Sequence, residues 1–174
     1  AILDGSNFTT SSGIGPGIGI STLSKNGFNA SFKLASNNNT INNESIHIIN
    51  QIGYTNSSIG GTITANLNNK FNAFGIAAYY KYKNFPSIST SIEKKQGDKI
   101  NTSKNWIFAL QKKINNTKLG IAVGTYNEEE EIGFESWSEI ELTDKLKVIP
   151  VFFIRENNNE SEDYGFALNS KFTY

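Results

Sequence analysis

The stretch that decides the fold is residues 164–174, which read Y-G-F-A-L-N-S-K-F-T-Y. Large and mostly apolar side chains occupy alternate positions, at Tyr164, Phe166, Leu168, Phe172 and Tyr174, with Ser170 the one small break and small or polar residues between them. A period of two predicts a β-strand with one apolar face and one wet face. Ending such a strand on aromatic residues is typical of a transmembrane β-barrel, in which aromatic side chains lie where lipid meets water.

The same alternation recurs along most of the chain, and helical periodicity is scarce. It predicts eleven strands, at residues 14–23, 27–36, 46–54, 59–67, 71–82, 87–93, 106–111, 119–124, 134–142, 146–154 and 164–174. Residues 1–12 form a weaker candidate for a twelfth strand. Strands of roughly this length can cross a bilayer at a tilt, which takes about 9–11 residues.

The predicted connections alternate between long and short. Counting back from the C-terminus, the long ones are 155–163, 127–131, 94–103 and 37–45, the short ones are 143–145, 115–116, 84, 56–57 and 25–26, and 68–70 is short where a long one is due. Outer-membrane barrels alternate short periplasmic turns with longer extracellular loops. The pattern favours an up-and-down meander over a Greek-key sandwich, and it assigns Tyr174 to the periplasmic rim.

Length and composition place further bounds. The 174 residues suffice for one domain, so residues 1–174 are predicted to be a single β-barrel domain or the C-terminal portion of a porin barrel. Sixteen basic residues balance sixteen acidic ones, which argues against nucleic acid as a partner. No apolar run is long enough for a membrane-spanning helix, and the mean hydropathy is −0.37. The chain opens with neither a signal peptide nor Met, which is typical of a mature or excised segment.

Catalysis and metal binding find little support in the residues. The chain has no Cys, so it has no disulfide and no thiolate metal site, and its single histidine rules out a His-cluster metal site. A Ser-His-acid site would have to use His47, yet no serine lies in a nucleophile-elbow context. We therefore predict no enzyme activity, no metal and no cofactor, with His47 a polar residue on the wet face of its strand.

Charged residues within the predicted strands fall opposite the apolar stripes. If the apolar stripes face lipid, where a charge costs roughly 2–4 kcal/mol at the midplane, these residues line the lumen. The predicted pore-lining residues are Lys33, Glu135, Glu139, Glu141 and Lys171, and the predicted aromatic belts include Tyr80, Tyr82, Trp106, Phe172 and Tyr174. The alternative is that the wet face is the solvent face of a soluble antiparallel sheet.

The last third of the chain resembles a known family. Residues 104–110, K-N-W-I-F-A-L, and 120–124, G-I-A-V-G, resemble late strands of the cyanobacterial carbohydrate-selective (OprB-type) porins, also described as iron-uptake porins. Residues 135–150, E-S-W-S-E-I-E-L-T-D-K-L-K-V-I-P, resemble the family's aromatic strand, Leu-Thr-Asp turn and following strand. Residues 166–174 are similar to its closing strand. Members of that family are longer and carry a surface-layer-homology domain, a coiled coil and more barrel strands.

The resemblance implies an outer-membrane channel for small hydrophilic solutes. We therefore expect an all-β, antiparallel up-and-down transmembrane β-barrel of about 11–12 strands, complete or part of a larger barrel, in a bacterial outer membrane. Its expected partners are the lipid bilayer, carbohydrates and ions, and by analogy two further copies in a homotrimer. Two alternatives stay open: a soluble or surface β-sandwich that binds carbohydrate or mediates adhesion through Trp137 and exposed Asn, and an outer-membrane lipase that depends on His47.

Overall fold

The computed structural model describes residues 17–23, 26–36, 46–97, 100–125, 131–157 and 161–173. These residues form eleven β-strands, and no helix among them is long and apolar enough to cross a membrane. The strands are β1 (Gly17–Leu23), β2 (Phe28–Ser36), β3 (Ile46–Thr55), β4 (Ile59–Leu67), β5 (Asn72–Tyr80), β6 (Ser87–Gly97), β7 (Ile100–Ile114), β8 (Thr117–Thr125), β9 (Ile132–Thr143), β10 (Leu146–Asn157) and β11 (Ser161–Phe172). The predicted strand at residues 1–12 lies outside the described residues.

The eleven strands make one antiparallel sheet whose spatial order is the chain order, β1 to β11. The predicted up-and-down meander is therefore confirmed. Within the described residues β1 and β11 do not pair with each other, so the sheet is open at these two edges. We call the sheet end that holds connections 24–27, 56–58, 81–86, 115–116 and 144–145 the turn end, and the opposite one the loop end.

Local turn chemistry fixes the register at the turn end. Asn115 adopts a positive φ of 53°, which Asn tolerates better than most residues, and a two-residue turn results. The Oδ1 of Asn56 accepts hydrogen bonds from the backbone N–H groups of Ser58 (2.7 Å) and Ile59 (2.8 Å). The Oγ1 of Thr143 accepts one from Leu146 N–H at 3.0 Å. Short turns of this kind set which residues face each other across each hairpin.

The predictions of long loops at residues 94–103 and 155–163 are wrong, because the strands continue into these segments. β6 extends to Gly97 and β7 begins at Ile100, so residues 98–99 alone connect them. Likewise β10 extends to Asn157 and β11 begins at Ser161, and Arg155 pairs with Asp163. The apolar alternation ends before these segments, but backbone hydrogen bonding does not require apolar side chains. At the turn end β5 stops at Tyr80, two residues before the predicted end at residue 82.

The two faces of the sheet have the reverse of the polarity found in a soluble globular domain. One face, here the outer face, carries large apolar side chains that are open to the surroundings, such as Ile52 (67% exposed), Ile63 (60%) and Phe166 (67%). Partners in the antiparallel register point to the same side, so Ile52, Ile63 and Ile76 form one row across β3, β4 and β5. This face is an apolar band that crosses the whole sheet.

A conventional hydrophobic core is almost missing from the described part of the chain. Its buried hydrophobic residues are three small ones, Ala73, Ala122 and Val151, whereas its largest fully buried side chains are His47, Glu135 and Asn66. The chain exposes 12007 Å², and a compact soluble protein of its 19.2 kDa exposes about 8,400 Å². Exposed apolar patches larger than a few hundred Å² mark interaction or membrane surfaces.

Candidate channel lumen

The opposite side of the sheet, here the inner face, is lined by small and polar side chains. Thr62, Ala77, Ser91, Ala109 and Ala122 lie on it, on five consecutive strands from β4 to β8. With residues of β3, β9, β10 and β11 they line an open-sided cavity of about 720 Å³. Because one cavity touches strands from β3 to β11, the sheet is curved around it, and the inner face is the wall of a candidate lumen.

All five predicted pore-lining residues lie on the inner face, but their settings differ. Lys33 on β2 and Lys171 on β11 are exposed, near opposite edges of the sheet. Glu135 on β9 lies between Ala122 and Phe153 of the neighbouring strands and is only 2% exposed, so it is a buried carboxylate of the wall. Glu139 and Glu141 are part of an ion-pair cluster, and the structure does not bring Lys33 near it in the strand order.

The ion-pair cluster lies at the turn end of β7 to β10. The Nζ of Lys147 donates to Glu139 Oε1 at 2.8 Å and to Glu141 Oε1 at 2.7 Å. Lys118 lies 3.8 Å from Glu139 and Lys113 lies 3.7 Å from Glu141, both measured between ammonium nitrogen and carboxylate oxygen. The sequence prediction named the two glutamates and missed the three lysines. The same period-two pattern places those lysines on the inner face and could have identified them.

Trp137 lies on the inner face of β9 and lines the cavity. Its indole ring packs over Gly120, the directly opposed residue of β8, where a side chain would collide with the ring. Gln111 and Asn169 line the same cavity. Together with Tyr79, which also lines this cavity, the inner face therefore presents two aromatic side chains and amide groups that both donate and accept hydrogen bonds.

His47 is also an inner-face residue, as predicted, and it is 1% exposed. Its Nδ1 shares a hydrogen bond of 2.9 Å with Asn66 Oδ1, and its ring lies 5.5 Å from the ring of Phe71. These contacts are to an amide and an aromatic ring, with neither a serine hydroxyl nor a carboxylate bonded to the imidazole in the described structure. This setting gives no support to the lipase alternative. No group of three or more His, Asp or Glu within the described residues could hold a metal ion.

The described residues of the predicted aromatic belts are exposed outside the cavity. The predicted residues Tyr80, Tyr82, Trp106 and Phe172 are 47%, 58%, 37% and 61% exposed, and Tyr174 lies outside the described residues. At the turn end Tyr80 stacks on Tyr82 with 6.4 Å between ring centroids, and Phe85 lies 5.8 Å from Tyr82. Tyr82 and Phe85 belong to the β5–β6 connection, so part of this aromatic group comes from a turn.

Comparison with solved structures identifies this architecture. A triple variant of Rhodopseudomonas blastica porin superposes with a TM-score of 0.69 over 90% of this chain and 54% of that one, at 11% sequence identity. The fold is that of a porin barrel wall. A second variant of the same porin matches with a TM-score of 0.69 at 10% identity. The chain spans about half the length of the porin chains that it matches. No protein-family model matches the sequence, and no curated protein matches it.

Proposed function

We propose that this chain forms the wall of a water-filled channel in a bacterial outer membrane and that small hydrophilic solutes diffuse through it passively. The observation that carries the proposal is the reversed polarity of the sheet, with large apolar side chains exposed outside and mainly small and polar side chains around a cavity of about 720 Å³ inside. Lys33, Glu135, Glu139, Glu141 and Lys171 are the pore-lining residues in this proposal. A closed channel requires that the edges β1 and β11 pair with each other or with further strands.

Single-channel conductance tests the channel directly. In planar bilayers the full-length protein is expected to give stepwise conductance, and Ala109→Trp is expected to reduce each step by roughly half or more, because it places a large ring in the lumen. Leu110→Trp is the matched control, since Leu110 is the next residue of β7 and belongs to the outer face. Absence of steps from the unmodified protein, or equal conductance for Ala109→Trp and Leu110→Trp, would contradict the proposal.

Carbohydrates are the proposed solutes in addition to ions. Trp137 offers an apolar ring face, and Gln111 and Asn169 offer amides, which is the mixture of one aromatic surface and a few polar groups that binds polar organic ligands. We expect linear oligosaccharides to block the ion current and Trp137→Ala to weaken that block about fivefold, the equivalent of about 1 kcal/mol. Trp106→Ala on the outer face is the control. Equal block in all three proteins would exclude a sugar site at Trp137.

Three finer parts of the proposal go beyond the fold itself. Membership of the cyanobacterial OprB-type porins rests on the resemblance of residues 104–110, 120–124, 135–150 and 166–174, and the structural neighbours support a porin-like fold in general. Assembly as a homotrimer rests on analogy with porins. Treatment of residues 1–174 as one barrel domain, or as the C-terminal portion of a larger one, rests on the continuous strand order of the described residues. The β-sandwich alternative loses support, since one continuous meander replaces the two sheets that it requires.

A further inference from the structure

Four lysines lie together on the inner face at the turn end of the sheet, and we call Lys113, Lys118, Lys147 and Lys171 the lysine cluster. Lys113 and Lys118 are directly opposed residues of β7 and β8, and Lys147 and Lys171 are directly opposed residues of β10 and β11. Like charges directly opposite each other destabilise a sheet. On their other sides Lys118 and Lys147 are opposed by Glu139 and Glu141 of β9, so favourable pairing accounts for these two lysines and leaves Lys113 and Lys171 opposed by a like charge.

The carboxylates of this region do not balance the lysine cluster. Glu139 is shared between Lys147 and Lys118, and Glu141 is shared between Lys147 and Lys113. Four ammonium groups against two carboxylates leave an excess of two positive charges. Lys171 is exposed, and no carboxylate of the described residues forms an ion pair with it.

The excess positive charge faces water. The Lys113 and Lys118 side chains are 61% and 41% exposed, compared with 24% and 34% for those of Glu139 and Glu141. The lysine side chains are thus more accessible to water than the glutamate side chains. Clefts lined by one sign of charge raise the local concentration of counter-ions.

The other described carboxylates of the inner face lie away from the turn end. Glu93 and Glu135 are 5% and 2% exposed, whereas the Asp163 side chain is 49% exposed and its Oδ2 lies 3.9 Å from Arg155 Nε near the loop end. The inner-face cations Lys33 and Lys95 further offset these carboxylates. Among the described residues, the charge that a solute in water meets on the inner face at the turn end is therefore mainly that of the lysine cluster.

We propose that the lysine cluster makes the turn-end mouth of the channel attract small anions, so that the channel conducts anions in preference to cations. This inference rests on the proposed channel function. Lys113 and Lys118 act as the exposed charges, Lys171 adds a third, and Glu139 and Glu141 hold Lys147 in place as the centre of the cluster.

Reversal potentials in a potassium chloride gradient across planar bilayers test the proposal. The full-length protein is expected to favour chloride, and Lys113→Gln combined with Lys118→Gln is expected to lower the chloride-to-potassium permeability ratio by about twofold or more, because a unit charge several ångströms away in water shifts an ion's energy by roughly RT. Glu141→Gln is expected to shift the ratio the other way. The preference should fade in about 1 M salt, where the Debye length is about 3 Å.

Matched variants separate the possible outcomes. Lys112→Gln removes the same charge from the neighbouring residue of β7, which lies on the outer face, and it is expected to leave the ratio unchanged. Lys171→Gln removes a lysine that makes no ion pair with a described carboxylate, so it reports on the charge even if the double variant fails to assemble. Absence of conductance in the unmodified protein contradicts the channel itself. Conductance with a cation preference, or a ratio that the double variant and Lys171→Gln leave unchanged, overturns the anion proposal alone.

Discussion

Ile63→Arg is expected to lower the free energy of unfolding in a membrane by about 2–4 kcal/mol, which is the cost of a charged side chain at the lipid-facing midplane of a barrel. Ile63 is the central residue of β4, is 60% exposed on the outer face, and lies in a row with Ile52 and Ile76. An arginine there has apolar neighbours on both adjacent strands. The loss would show as a lower midpoint of denaturant unfolding from lipid vesicles and as a smaller yield of assembled protein.

Thr64→Arg is the matched control for this experiment. Thr64 is the next residue along β4 and points to the inner face, where its opposed residues are Gln51 and Gly75. An arginine there has a polar neighbour, a neighbour without a side chain and a wet lumen, so a far smaller loss of stability is expected. Equal destabilisation by the two substitutions would contradict the assignment of the two faces.

The strand content and the two faces of the sheet follow from period-two alternation alone. The β4 strand has the predicted bounds, Ile59–Leu67, because Asn56 and the Asn68-Asn69-Lys70 run mark its two ends. The predicted strand at residues 87–93 is shorter than β6, because the apolar alternation stops at Glu93. Beyond that point the backbone ladder continues with Lys94 opposite Lys104, and no side-chain pattern signals it.

The site was only partly predictable for a similar reason. Alternation assigns Glu139 and Glu141 to the wet face, but it does not say which residues of β8 and β10 meet them. That depends on the register set by the turns at 115–116 and 144–145, which brings Lys118 and Lys147 within reach of Glu139. The burial of Glu135 was not predicted either, since it depends on how the sheet curves around the lumen.

The central claim is that the outer face contacts lipid and the inner face contacts water, and thiol accessibility tests it most directly. The chain has no Cys, so each single-cysteine variant carries one probe. Two pairs of adjacent residues provide the comparison: Phe108→Cys with Ala109→Cys on β7, and Phe166→Cys with Ala167→Cys on β11. In each pair the phenylalanine lies on the outer face and the alanine lies on the inner face. We expect the inner-face cysteines to be labelled almost completely and the outer-face cysteines hardly at all, because hydrocarbon excludes a charged thiol reagent.

In protein reconstituted into lipid vesicles, a membrane-impermeant maleimide should modify the cysteines at positions 109 and 167. A fluorophore attached at positions 108 and 166 should instead be quenched by a lipid-chain quencher. Denatured protein, in which all four thiols should react, is the control for intrinsic reactivity. Labelling of all four positions in the folded protein, or quenching at the alanine positions instead of the phenylalanine positions, would contradict the account.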